Sequence, residues 1–301
     1  MRAVGRLLRV SLAPSAAADV VAGLLFAHGG TAPADARAWW LVPASLGVYH
    51  GALALNDWRD REHDRRTRPD RPIPSGKVAP AAALVLGLVL VAAGIACAYQ
   101  ARPESAVWMA GVAALALLYD FAGRGPWSGP LLLAACRAGN LGSGVFWVAR
   151  TQALEHDVAL WLPCVAYGIY VLVVSRLGRM EDAEDAAPLG SRPSFLLVLA
   201  ALCFFLPLLT PPVLVAERAA PFLLALVAAG GLVHAARRTR PWTQALVERA
   251  MGASLRRLLV FAAIIALLRA DRGVPDAWIA ALAILAGYAL SHALRRAFPP
   301  S

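Results

Sequence analysis

Charge is scarce in this sequence. Only 16% of its 301 residues are charged, where a soluble domain carries about a quarter, and acids are the scarcer sign, 19 against 29 lysines and arginines. Cysteine is scarce too. Cys97, Cys136, Cys164 and Cys203 lie inside apolar stretches, without the close Cys or His spacing of a zinc site and without a disulfide framework. They read as small buried packing residues. His50, His63 and the other histidines show no pairing at ligand spacing. A tandem repeat, a low-complexity tail and a soluble appendage are all missing. Arg2, Arg6 and Arg9 ahead of an apolar stretch imitate a signal peptide, but the small residues Ala16 to Ala18 come too early for cleavage and the pattern continues as a first span.

Apolar residues make up 59% of the chain, and the mean hydropathy is +0.59. The apolar runs occupy roughly 13–28, 38–55, 78–100, 105–122, 128–149, 157–178, 194–215, 220–236, 254–269 and 276–294. Runs of about 18 or more residues cross a bilayer core, and the helix is the open-ended structure that satisfies its own backbone there. The expectation is an all-α bundle of nine or ten transmembrane helices, forming a single integral membrane domain over 1–301. The segment around Arg256 and Arg257 is short for a span, which leaves it tilted, interfacial or half-buried.

A net charge of +10 would point a soluble protein towards nucleic acid, but here the arginines sit between apolar runs rather than along one exposed face. Membrane lipids and a polyanionic substrate are the expected partners, and nucleic acid is not. Basic residues concentrate in the N-terminal arm, 56–77, 123–127, 176–192, 237–249 and Arg295–Arg296, which fall on one side when ten spans are counted. By the retention of Lys and Arg inside, both long polar loops should face the cytoplasm, most simply at the cell membrane.

One segment is far too acidic for an ordinary loop. It follows the second span and contains Asn56, Asp57, Asp60, Asp64, Arg65, Arg68, Arg71 and Lys77. If the helix continues through it, Asp57, Asp60 and Asp64 fall at i, i+3 and i+7, and Asn56, Asp60 and Asp64 at i, i+4 and i+8, on one face. Carboxylates so close repel one another and need a cation or positive neighbours, which oxygen ligation of Mg²⁺ supplies. Arg65, Arg68, Arg71 and Lys77 then offer donors for phosphate oxygens. The bland alternative is a solvated, salt-bridged loop.

This stretch resembles the UbiA family of intramembrane prenyltransferases. The family's first acidic motif, Asn-Asp-x-x-Asp-x-x-x-Asp, is matched by Asn56, Asp57, Asp60 and Asp64, and its Arg-Pro-x-Arg-Pro-Ile-Pro-Ser-Gly run by Arg68 to Gly76. Thinner similarity covers Arg9 to Gly23, Tyr119-Asp120 and Arg137 to Asn140; where many members have a lysine five residues after that tyrosine, this chain has Arg124. The resemblance implies a UbiA-like bundle that carries out Mg²⁺-dependent transfer of a prenyl group from an isoprenoid diphosphate to an acceptor that the sequence does not identify. It implies Asn56, Asp57, Asp60 and Asp64 as metal ligands. Tyr119, Arg124, Arg137 and Asn140 join Asn56, Arg65, Arg68, Arg71 and Lys77 as substrate-binding residues.

The second acidic cluster departs from the family's common Asp-x-x-x-Asp. Glu181 and Asp185 keep the spacing of four, while Asp182 and Asp185 offer the other helical spacing of three. Glu181, Asp182 and Asp185 complete the expected metal set, with Asp57, Asp60, Asp64, Asp182 and Asp185 as the catalytic acids. The altered motif resembles divergent branches such as EboC-type proteins, and leaves as the alternative a non-catalytic isoprenoid-binding or transport subunit. The Asp-Gly-x-x-Ala-Arg signature of the CDP-alcohol phosphotransferases is missing. Within the spans, Asp19, Asp120, Arg137 and Asn140 are expensive in hydrocarbon and should face the bundle interior. Gly139, Gly142 and Gly144 read as helix-packing positions rather than a phosphate loop.

Overall fold

The computed structural model describes residues 2–180, 189–211, 218–239, 241–270 and 275–298. Among the described residues the regular structure is entirely helical. A short α1 (Arg2–Leu7) leads into α2 (Ala13–Ala27), α3 (Leu41–Thr67), α4 (Pro80–Ala101), α5 (Pro103–Phe121), α6 (Ser128–Gln152) and α7 (Leu162–Gly178). Then follow α8 (Arg192–Cys203), α9 (Ala219–Arg238), α10 (Gln244–Arg256), α11 (Leu258–Leu267) and α12 (Asp276–Ala297). Prolines at the first turns of α2, α4, α5, α7 and α8 mark their starts, where the missing N–H costs nothing.

Nine described segments are long and apolar enough to cross a membrane, with α10 and α11 counted together as Gln244–Leu267. α3 is not among the nine, because its last turns carry the acidic motif. It nevertheless packs along α4 over most of its length, and with it the bundle reaches ten. The chain is therefore an integral, multi-pass membrane protein. One expectation needs adjusting: most of the polar stretch 237–249 is helical, since α9 runs to Arg238 and α10 begins at Gln244, capped by Thr243. α10 exposes Gln244, Glu248 and Arg249 while Val247 and Ser254 are buried. Its far end is tied to α7, where the Tyr170 hydroxyl donates to the Ser254 carbonyl at 2.7 Å.

Apolar burial drives little association between helices already in lipid; close packing and interhelical hydrogen bonds carry it. Glycines make the approach possible. A Cβ on Gly94 of α4 would lie 2.7 Å from the Ala44 carbonyl oxygen of α3, and one on Gly51 of α3 would lie 2.8 Å from the Gly87 carbonyl oxygen. At the α2–α6 crossing, a Cβ on Gly144 would meet the Leu24 nitrogen at 2.6 Å, which agrees with the packing reading of that glycine. Tyr170, Phe204 and Phe261 form a fully buried aromatic cluster with centroids 5.0–5.3 Å apart; such pairs contribute about 0.5–1.5 kcal/mol each beyond their burial.

Candidate active site

The helix does continue through the acidic segment. α3 runs unbroken to Thr67, so Asn56, Asp57, Asp60 and Asp64 occupy its last three turns. Each carboxylate meets an arginine. Asp57 is buried, and its Oδ1 accepts from Arg9 Nη2 at 2.8 Å and lies 3.5 Å from Arg71 Nη1. Asp64, also buried, accepts from the same Arg71 Nη1 at 2.6 Å. Asp60 accepts from Arg124 Nη1 at 2.7 and 2.9 Å. Asn56 donates to Asp120 at the end of α5, and Arg124 Nη2 stands 3.6 Å from that same carboxylate. Three arginines, from the N-terminal arm, the 68–79 loop and the α5–α6 turn, thus converge on four aspartates.

Local structure explains each placement. Arg9 sits in the left-handed region (φ 47°, ψ 50°) between α1 and a 3-10 turn over Val10–Leu12, a conformation that costs a non-glycine residue roughly 1–2 kcal/mol. His50 Nδ1 lies 2.6 Å from the Leu8 carbonyl and so fixes the arm against α3. Arg71 is buried in the turn after α3, where Arg71 N–H donates to the Arg68 carbonyl at 3.1 Å and Ser75 closes back onto the Arg71 carbonyl. Arg124 lies over the ring of Tyr119, 5.7 Å from its centroid. Partial burial works against its charge, but the hydrogen bond and charge of Asp60 outweigh that and hold its pKa above the ordinary arginine value. Arg176 of α7 donates to the Pro126 carbonyl and stacks on Trp127, which brings the end of α7 to the same end of the bundle.

Other expected residues lie apart. Arg65 turns outward to Glu62 at 2.7 Å, and Arg68 and Lys77 are exposed. Arg137 and Asn140 belong to a second polar knot deeper in the bundle. Asp19, fully buried, accepts from Arg137 Nη2 at 3.1 Å, from Asn140 Nδ2 at 3.0 Å and from the Tyr167 hydroxyl at 2.6 Å. Arg137 also faces the ring of Tyr49 at 5.6 Å. Tyr49 precedes Asn56 by seven residues on α3, about 10 Å along the axis, so the two polar centres share one wall. Glu181, Asp182 and Asp185 lie outside the described residues.

Arg9 and Tyr167 are the contributions that the motifs did not single out. Arg9 is 48 residues from its partner, and the signal available was a basic residue directly before the first span.

The centre has polar atoms to spare. Asp57 Oδ2, Arg9 Nε, Arg71 Nε, and Arg124 Nε and Nη2 are buried without a hydrogen-bond partner. Leaving such groups unmatched costs about 1–3 kcal/mol apiece, more when they are charged. An all-oxygen donor set with an unmatched carboxylate oxygen suits a hard cation such as Mg²⁺, and the unmatched guanidinium N–H groups suit an oxyanion. Among the described residues, no three acidic, His or Cys side chains enclose a metal by themselves.

Comparison with known proteins agrees with this chemistry. The profile of the UbiA prenyltransferase family matches residues 16–259. The chain is 33% identical over 192 residues to the digeranylgeranylglyceryl phosphate synthase of Methanopyrus kandleri, covering 63% of this chain and 67% of that one. It is 31% identical over 167 residues to the synthase of the same name from Methanospirillum hungatei, covering 55% and 57%. It is also 31% identical over 147 residues to a 4-hydroxybenzoate octaprenyltransferase of Ectopseudomonas mendocina, covering 48% of each. The matched stretches thus span between about half and two thirds of these relatives. A solved structure described as concerning digeranylgeranylglyceryl phosphate synthase in membranes shares the fold, with a TM-score of 0.60 over 89% of this chain and 98% of that one, at 17% identity.

Proposed function

Because the chain belongs to the UbiA prenyltransferase family and is a membrane-embedded prenyltransferase, we propose that the Asp57–Asp60–Asp64 end of its bundle binds the diphosphate of an isoprenoid donor and promotes its departure. The observation that carries this is the juxtaposition of an acidic helix face with buried arginine N–H groups that have no hydrogen-bond partner.

Members of this family generally use Mg²⁺ with diphosphate substrates. The residues here that would hold it are Asn56, Asp57, Asp60 and Asp64, joined by acids of 181–185, and when bound it supplies positive charge against the oxygens of the leaving diphosphate. Arg9, Arg71 and Arg124 are paired with carboxylates in this structure. Each keeps donors in hand, since a guanidinium has five N–H groups, and these take the phosphate oxygens that ligation leaves uncovered. In the reaction the allylic C–O bond breaks, its electron pair leaves with the diphosphate, the acceptor's electron pair closes onto the allylic carbon, and the proton the acceptor then sheds passes to water or to the departing diphosphate. The arginine donors become more valuable as charge gathers on the leaving oxygens, and that difference between ground and transition state accelerates the step. Asp19 fixes Arg137 and Asn140 along the inner wall, where they orient the acceptor, and the surrounding apolar helices exclude water that would otherwise capture the allylic centre.

The test is diphosphate release by the purified chain with geranylgeranyl diphosphate, with and without Mg²⁺, across acceptor classes. Asp60→Asn should remain folded and lose release by about a hundredfold or more, the scale of removing one transition-state charge partner. Release that persists in this variant with unchanged Mg²⁺ dependence would sink the assignment.

A further inference from the structure

We propose that the cavity at the α4–α5 corner, at the opposite end of the bundle from the acidic motif, holds the zwitterionic head group of a membrane phospholipid with a free ammonium, a phosphatidylethanolamine; the inference goes beyond the prenyl-transfer reading and does not depend on it. The cavity has a volume of about 420 Å³, within the roughly 300–1,000 Å³ of ligand pockets. Its walls include Asp35 and Arg37 at the start of a 3-10 turn over Ala36–Trp40, Arg102 and Glu104 where α4 gives way to α5, and Trp147 and Thr151 in the last turns of α6.

Its position is that of lipid head groups. α5 carries Glu104 in its first turn and Asp120 in its last, about 24 Å apart at the helical rise, so the cavity and the acidic motif lie at opposite ends of one span. Tyr99 of the lining and Trp39 and Trp40 of the 3-10 turn are exposed, as aromatic side chains are at a membrane interface. Glu104 also lines an apolar groove between α5 and α6 of about 820 Å³, which Trp108, Gly111 and Phe146 help to wall. A polar cavity that adjoins an apolar one through a shared residue suits a molecule with a charged head and a hydrocarbon chain, rather than a soluble ion.

The charges of the lining select the head group. Two arginines stand against two acids, and that balance complements a zwitterion better than a plain anion. Trp147 is almost completely buried, and its Nε1–H has no hydrogen-bond partner. An indole only donates, so the group it lacks is an acceptor. Arg102 Nη1 donates to Thr151 Oγ1 at 3.2 Å, and that hydroxyl donates to the Trp147 carbonyl at 2.7 Å, which ties the guanidinium to the stretch of α6 that carries the indole. These donors take phosphate oxygens.

The acids take the ammonium. Asp35 accepts from Arg37 Nη2 at 2.8 Å, and the hydrogen bond from Arg37 holds its carboxyl below the usual carboxylate range. Glu104 stands 3.6 Å from Arg102 and 3.8 Å from Arg150, distances at which charges attract but hydrogen bonds are weak, and its oxygens keep lone pairs for further N–H donors. Arg150 is itself matched by Glu155 at 2.5 Å, which leaves the balance of the cavity unchanged.

The experiment takes the full chain into micelles that hold equal amounts of phosphatidylethanolamine, phosphatidylcholine and phosphatidylglycerol with identical acyl chains, and native mass spectrometry identifies the lipid retained as the micelle is stripped. Phosphatidylethanolamine should be kept about tenfold over phosphatidylglycerol, which has no ammonium, and over phosphatidylcholine, whose ammonium has no N–H; tenfold is the scale of one charge-assisted hydrogen bond. Asp35→Asn should bring phosphatidylethanolamine down to the level of phosphatidylglycerol, whereas Arg102→Gln and Trp147→Phe should weaken both. The wild-type preference decides the proposal even where a variant fails to fold. Phosphatidylglycerol kept as well as phosphatidylethanolamine would overturn it. Equal retention of all three, unmoved by Asp35→Asn and Arg102→Gln, would mean annular lipid only and reject the site. Displacement by an equimolar amount of water-soluble glycerophosphoethanolamine would show that the head group binds without its chains, and would overturn the assignment to a membrane lipid.

Discussion

Arg9 and Asp57 form a 2.8 Å ion pair across 48 residues of sequence, and Arg9 makes it from a left-handed backbone. The arm before the first span is thereby bolted to the acidic helix, and the carboxylate that receives it is almost completely buried. The pair carries two separable contributions, one from the side chain and one from the backbone.

Arg9→Ala removes the guanidinium and keeps the backbone cost, whereas Arg9→Gly removes both. Both variants should lose diphosphate release, because Asp57 and the bound donor each lose a cation. Arg9→Gly should be the more stable by about 1 kcal/mol, the scale of the left-handed penalty. Thermal unfolding in one detergent compares them, and equal stabilities would show that the observed φ is not maintained.

The knot around Asp19 is a strong structural test, since Asp19 is fully buried and the Arg137 side chain is 11% exposed. Arg137→Ala leaves an uncompensated carboxylate and should destabilise by about 3–5 kcal/mol. Adding Asp19→Ala should recover part of that loss, because the stranded charge is gone. A double-mutant cycle with no coupling would contradict the pairing.

Two glycines should respond in opposite ways. Gly94→Leu forces a side chain into the Ala44 carbonyl and the Val48 nitrogen, at 2.7 and 2.8 Å from the Cβ position, and should separate α3 from α4 and abolish folded yield. Gly111→Ala meets nothing, replaces a poor helix former and should leave the melting temperature level or slightly raised. Size-exclusion profiles and melting curves decide both, and a well-folded Gly94→Leu would reject the close α3–α4 approach.

Sidedness follows from the basic residues. In a cysteine-free background, cysteines placed at Thr67 and Gly190 should react from the cytoplasmic side and one placed at Glu155 from the other. Labelling of Thr67 and Gly190 from opposite sides would separate the two acidic segments and remove the second cluster from the proposed site.

The sequence carried the architecture well. The apolar runs marked the spans, and the three-and-four spacing of Asp57, Asp60 and Asp64 required a helix that continues past its apolar part, as α3 does to Thr67. Asp19, Arg137 and Asn140 could be placed in the interior from cost alone. Their mutual pairing could not, because it joins α2 to α6 and α7 over more than 100 residues. The Gly51, Gly87 and Gly94 seam was equally hidden, since a glycine in an apolar run does not declare which neighbour it admits. Pairing of Arg71 and Arg124 with individual aspartates depended on two turns whose course no periodicity encodes. Polar composition also concealed α10, whose buried side is a few residues wide.

The length of α3 has a further consequence. Its 27 residues rise about 40 Å, roughly 10 Å more than a hydrocarbon core is thick. Measured from Leu41, the last two turns of α3, with Asp64 on them, therefore reach the depth of the lipid head groups, and Asp57 and Asp60 lie just below it. In the proposed reaction, inorganic ions and released diphosphate would exchange with the aqueous phase there without crossing oil, while a greasy reactant would arrive sideways without entering water. Two reactants of opposite solubility can thus meet on one rigid rod, each still in contact with its own phase.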